Sequence, residues 1–149
     1  MKLGLKRGDT TFSSFNRYLL KTQWSHSAIE VQGRLYESTA LKGEHDKAGV
    51  RDYELTPDIA SQFAWIDLGT EGDEAALAAY ELIRGHGYDF FSLISFPIPV
   101  LARDSKREYC HELSALLMGI DHKGYKTPEL LLYHAVLILQ RAYHARNPA

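Results

Sequence analysis

Residues 24–39, WSHSAIEVQGRLYEST, decide the fold. Two β-rich runs, 26–31 (HSAIEV) and 34–39 (RLYEST), are separated only by Gln32 and Gly33. A two-residue spacing that contains glycine predicts a β-hairpin. Side chains alternate across a strand, so His26, Ala28 and Glu30 share one face of the first run, and Ser27, Ile29 and Val31 share the other. The second run divides into Leu35, Glu37 and Thr39 against Tyr36 and Ser38. The hairpin thus opens on a histidine and returns with a carboxylate.

Downstream of the hairpin, further strands are expected near 49–55 (GVRDYEL) and 63–68 (FAWIDL), each flanked by polar or turn-forming residues. The period then changes. Residues 73–84 (DEAALAAYELIR) are alanine-rich, begin with acidic side chains at the positive end of the helix dipole and stop at Gly85 and Gly87, which predicts a helix of about three turns. Tyr88-Asp89, an aromatic and apolar run (FFSLISFPIPV, 90–100) and a polar loop (ARDSKRE) lead into YCHELSALLMG, whose spacing is helical and whose stop is Gly119. Cys110 therefore falls at or next to a helix N-terminus. A last helix is expected from Thr127-Pro128-Glu129, with Thr127 as N-cap and Pro128 in the first turn, to about Ala145.

The 149 residues, 45% hydrophobic and 11% aromatic, suffice for one core, and no repeat, low-complexity tract or linker divides them. One domain, 1–149, is expected. A net charge of −2 calls for no nucleic-acid partner, and no basic stripe interleaved with aromatics is present. The charge is unevenly spread: residues 1–25 carry Lys2, Lys6, Arg7, Arg17 and Lys21 against Asp9, whereas 52–83 are acidic and lack Lys and Arg. Such a dipole steers charged ligands or simply marks two solvated faces. The single cysteine excludes an internal disulfide. No apolar signal-peptide core follows the basic N-terminus, so a cytoplasmic location is the default, with export by another route left open. The longest apolar stretch, 130–139, is about half of what crossing a bilayer requires, so no stable membrane insertion is expected. That helix is expected to be buried or to pack on a partner, which leaves a homo-oligomer through it open.

A thiol attacks as thiolate, and the partial positive charge at a helix N-terminus lowers its pKa. Cys110 is placed where this happens. A general base must lie within hydrogen-bond reach, and His26, on a rigid strand, is the candidate; Glu37 across the hairpin would orient it. Taken singly, each residue has a plainer reading. A free cysteine before an apolar helix is a small buried hydrophobe. A histidine at a strand start is a satisfied polar residue, and His45, His86, His111, His122, His134 and His144 compete with it. Glu30 rivals Glu37. No pair among His26, Glu30, His45, Cys110 and His111 has the spacing of a zinc signature, so no metal and no cofactor is expected.

Together the motifs resemble the permuted papain-like enzymes related to the NlpC-type peptidases, especially the YiiX-like group, with lecithin:retinol acyltransferase-like enzymes as more distant relatives. The resemblance spans roughly residues 7–132 and rests on Gly8-Asp9, WSHSAIEV, LYES, Gly49-Val50, Tyr88-Asp89, YCHEL and Pro128-Glu129-Leu130. In ordinary papain-like enzymes the cysteine helix precedes the histidine strand; here Cys110 follows His26, the order that permutation implies. The resemblance implies an α+β, circularly permuted papain-like (NlpC-type) fold, in which an antiparallel sheet carrying the histidine strand packs on helices that include the cysteine helix.

It also implies roles: Cys110 as nucleophile, His26 as general base and then acid, and Glu37 as the residue that orients His26. His111 stands where the family usually has serine; it is expected to point away from Cys110, while a charge on it would favour the thiolate. Glu112 is expected to bond the backbone at the helix start, away from the reacting sulfur. The implied activity is that of a cysteine peptidase or amidase acting on peptide substrates such as cell-wall stem peptides. A thioesterase or lipid acyltransferase with the same Cys–His pair is the second reading, and a non-catalytic binding module the third.

Overall fold

The computed structural model describes residues 1–40, 48–88, 107–121 and 127–147. His45, Asp89, the run 90–100, the loop up to 106 and His122 lie outside them. Among the described residues the chain runs β1 (Lys2–Lys6), α1 (Thr11–Leu20), β2 (His26–Val31), β3 (Arg34–Thr39), β4 (Gly49–Glu54), α2 (Pro57–Ala60), β5 (Ala64–Asp67), α3 (Asp73–Ile83), β6 (Gly87–Tyr88), β7 (Arg107–Glu108), α4 (Cys110–Leu117) and α5 (Pro128–Arg146). The protein is α+β. Five strands form one antiparallel sheet in the order β4-β3-β2-β1-β5, and β6 pairs with β7 in a short parallel ladder.

The hairpin forms as its sequence dictates. Gln32 (φ 52°) and Gly33 (φ 80°) both take positive φ, the type I′ geometry whose twist matches that of paired strands. This turn fixes the register, pairing Ile29 with Tyr36 and Glu30 with Leu35. Alternation then sorts the faces. Ile29, Val31, Tyr36, Val50, Leu3 and Leu5 point into the main core, where they meet Ala76, Tyr80 and Ile83 of α3, Leu113 and Leu117 of α4, and Leu131 and Ala135 of α5. Ala28 and Leu35 point the other way, into a smaller cluster with Phe63, bordered by Tyr53, Ile59 and Trp65. His26 belongs to this second face by position, and its ring lies 6.2 Å from that of Phe63.

Five elements, β1, α1, α2, β6 and β7, go beyond the sequence expectations, and the first two are the longest. Residues 2–6 (KLGLK) form an interior strand between β2 and β5, with Leu3 and Leu5 fully buried. Their period-2 alternation is the signal, masked by the basic residues on either side. Residues 11–20 form α1, capped by the Thr10 hydroxyl, which accepts from the Ser13 N–H. The last helix, expected to be buried or to pack on a partner, is mostly exposed. Only Pro128, Leu131 and Ala135 are buried, and Leu130, Tyr133, Val136, Leu139 and Tyr143 remain exposed. Among the described residues no helix is long and apolar enough to cross a membrane.

Near the start of β4 the backbone comes into close contact with the segment before β6. The Val50 N–H donates to the His86 carbonyl at 2.8 Å, and Gly49 sits at φ 133° with that same carbonyl 2.2 Å from where a Cβ would stand. Both the conformation and the approach require glycine. Gly49→Ala is therefore expected to destabilise the fold by about 2 kcal/mol or more, read as a lower urea midpoint at unchanged m-value.

Candidate functional site

Three strands and one helix end converge where β2 starts, β3 stops and β4 begins. Cys110 is the first residue of α4, almost fully buried at 1% exposure, and packs with Tyr88 and Tyr109 beside Ala40 and Ala48 at the ends of β3 and β4. At this position the unpaired N–H groups of the first helical turn surround the residue, and they favour negative charge. Glu112 accepts from the Tyr109 N–H at 3.4 Å, so its carboxylate serves the helix start.

His26 opens β2, and its Nε2 lies 2.7 Å from Glu37 Oε2. The other carboxylate oxygen of Glu37 accepts two bonds from Arg51, from Nε at 2.9 Å and Nη2 at 2.6 Å. Antiparallel pairing makes this possible, because β4 sets Arg51 directly opposite Glu37. Tyr53 also bonds Glu37, and burial together with that carboxylate pushes its phenol pKa up, which keeps it a donor. Glu30, the rival carboxylate, is occupied at the turn end of the hairpin, where it accepts from the Gly33 N–H at 2.7 Å and pairs with Lys2 at 3.2 Å. Of the two, Glu37 is the one joined to His26.

These contacts set the charges. Burial disfavours an ionised Glu37, but the bond and charge of His26, and then those of Arg51, prevail and lower its pKa from 4.5 to about 2. Burial likewise opposes charge on His26; bonds to Cys110 and Glu37 and their negative charges outweigh it and raise the imidazole from 6.5 to about 10. At Cys110 burial favours the thiol, yet the charge and hydrogen bond of His111, followed by those of His26, lower it from 9.0 to about 5. Both shifts favour the thiolate and imidazolium forms of the pair.

His111 departs from its expected orientation. Its Nδ1 turns back to within 3.7 Å of the Cys110 sulfur instead of pointing away. The cause is Ser27, whose hydroxyl lies 2.7 Å from that nitrogen and anchors the ring. Ser27 and Arg51 were not singled out by sequence. Ser27 carried a faint signal, a polar residue on the otherwise apolar Ile29–Val31 face. Arg51 became visible only with the β3–β4 register, which no short turn fixes. Of the other described histidines, His86 precedes β6, and His134 and His144 lie on α5. No group of three or more metal-ligand side chains is found among the described residues.

The thiolate is directly measurable because Cys110 is the sole cysteine. The absorbance difference at 240 nm between wild type and Cys110→Ala is expected to titrate with a midpoint near pH 5, against about 8.5 for an ordinary thiol. A reading at 240 nm does not depend on reagent access to a buried sulfur.

Comparison with protein-family models, curated proteins and solved structures gives no match. What the site does must follow from its own geometry.

Proposed function

We propose that the protein is a cysteine hydrolase that cleaves an amide bond through an acyl-enzyme, a peptidase or amidase on a circularly permuted papain-like fold of the NlpC type. The observation that carries this reading is the hydrogen-bonded set Arg51–Glu37–His26, with the buried Cys110 thiol at a helix N-terminus and shifted toward thiolate by His111 and His26. A buried structural cysteine requires no such support. The chain order, histidine strand before cysteine helix, supports the permuted arrangement.

The chemistry runs as follows. The Cys110 thiolate attacks the carbonyl carbon, and the C=O electron pair moves to oxygen, where the Cys110 backbone N–H and a further donor meet it. The intermediate collapses, the C–N bond breaks, and His26 gives its proton to the departing nitrogen. Cys110 then carries a thioester. Water attacks that thioester as neutral His26 takes its proton, and the thiolate leaves with the acid released. Glu37 stays ionised throughout and holds the ring with Nε2–H toward itself, which leaves Nδ1 for the sulfur and the substrate.

A thioesterase or lipid acyltransferase would use the same steps with a different acyl group. The exposed apolar side chains of α5 favour that reading. A panel of short-peptide anilides set beside acyl thioesters separates the two. Intact-mass spectrometry on rapidly quenched mixtures is expected to show one acyl group on wild type and none on Cys110→Ala. His26→Ala should lower turnover by about 10²–10⁴-fold. The kcat/KM profile should rise near pH 5 and fall near pH 10, following the Cys110 and His26 values. Turnover that survives Cys110→Ala would refute the reading.

A further inference from the structure

His111 is wholly buried at the second position of α4. The Ser27 hydroxyl donates to the Cys110 carbonyl at 3.1 Å, and so does the Ser114 hydroxyl, also at 3.1 Å. The two hydroxyl oxygens are 2.9 Å apart. With both hydroxyl protons on that carbonyl, Ser27 Oγ accepts from a hydrogen on the ring nitrogen 2.7 Å away, and this Nδ1–H tautomer is the one the proposal uses. The same Nδ1 lies 3.7 Å from the Cys110 sulfur, so its one hydrogen is shared in a three-centre arrangement between Ser27 Oγ and the sulfur. The Tyr109 ring, edge to face at 4.9 Å, helps to fix the imidazole plane. Nε2 is buried and has no hydrogen-bond partner among the described residues.

We propose that His111 is a second imidazole on the nucleophile, whose Nδ1–H, held in place by Ser27, stabilises the Cys110 thiolate independently of His26. The proposal rests on the reading of Cys110 as the nucleophile. It divides the work: His111 holds the sulfur as thiolate, and His26 is free to carry the proton to and from the substrate. Adjacent residues of one strand supply both arms, since His26 faces Glu37 and Ser27 faces His111. The lowering of the thiol agrees with this, because against the opposing effect of burial the charge and bond of His111 come ahead of those of His26. Among the described residues Tyr88 on β6 and Tyr109 at the start of α4 pack with Cys110, Glu112 bonds the Tyr109 N–H, and Glu37 on β3 with Arg51 on β4 joins the site through His26.

The test is the thiolate titration at 240 nm, each variant being read against the same protein with Cys110→Ala. His111→Leu removes the donor and is expected to raise the midpoint by about one pH unit or more, a tenfold shift toward the thiol. His111→Asn, which restores an N–H at a similar place, should recover part of that shift. His26→Ala should leave the midpoint below about 8.5, and His26→Ala with His111→Leu should bring it there. Ser27→Ala keeps every titrating group and releases the ring, so it should raise the midpoint by less than His111→Leu does. It also serves as the test if His111→Leu melts early by circular dichroism.

The proposal is overturned if His111→Leu, or Ser27→Ala in its place, leaves the midpoint unchanged, or if His26→Ala alone gives an ordinary thiol. Acyl-enzyme formation with a midpoint insensitive to His111 would remove this assignment and leave the hydrolase standing. The expected shifts in a protein that forms no acyl-enzyme would do the reverse.

Discussion

Glu37 is a carboxylate set inside a β-sheet, and the orientation and charge of His26 depend on its staying ionised there. Taking such a group out of water costs several kcal/mol, which only close and well-aligned partners offset. Arg51 supplies a two-pronged guanidinium on one oxygen and His26 an imidazole on the other. Remove the arginine and the carboxylate would have reason to take up a proton; remove the carboxylate and His26 would lose both its orientation and its charge. The β3–β4 register is thus a chemical constraint as well as a structural one. A slip of one residue would turn Glu37 or Arg51 to the opposite face of the sheet.

The hairpin joins this polar chain to the core. Along β2, His26 faces the polar chain and Ser27 the helix side, where Ile29 and Val31 continue into the main core. Residue 110 is held from both directions, its carbonyl by Ser27 and Ser114 and its sulfur by His111 Nδ1 at 3.7 Å. Such double anchoring suits a reacting atom, which must be held within a fraction of an ångström by groups that are themselves locked. The burial of Leu113 and Leu117 one and two turns further along α4 keeps the helix end from shifting.

Much of this was legible in the sequence, for reasons that differ by element. The hairpin announced itself because Gln32-Gly33 sets both turn and register locally. The cysteine helix did so through its periodicity, and α3 through its acidic start and glycine stop. Strand β1 was obscured because its two lysines and the neighbouring Arg7 read as a basic segment, although Leu3 and Leu5 alternate inward. Arg51 could not be assigned, since its partner is set by long-range strand pairing and not by spacing. His111 was misoriented because its direction is decided by Ser27, a residue distant in sequence. Local signals reached most of the longer elements and, of the site, Cys110, His26 and Glu37; the contacts between distant elements supplied the rest.

The central claim is that the buried Glu37–Arg51 pair and the Cys110 sulfur keep His26 as an imidazolium. Long-range ¹H–¹⁵N correlation of the imidazole nitrogens, with the His26 signals identified by their loss in His26→Ala, measures this directly. The predicted result is both ring nitrogens protonated through neutral pH, with loss of the proton only near pH 10. Titration of His26 near its ordinary value of about 6.5 in the folded protein would contradict it.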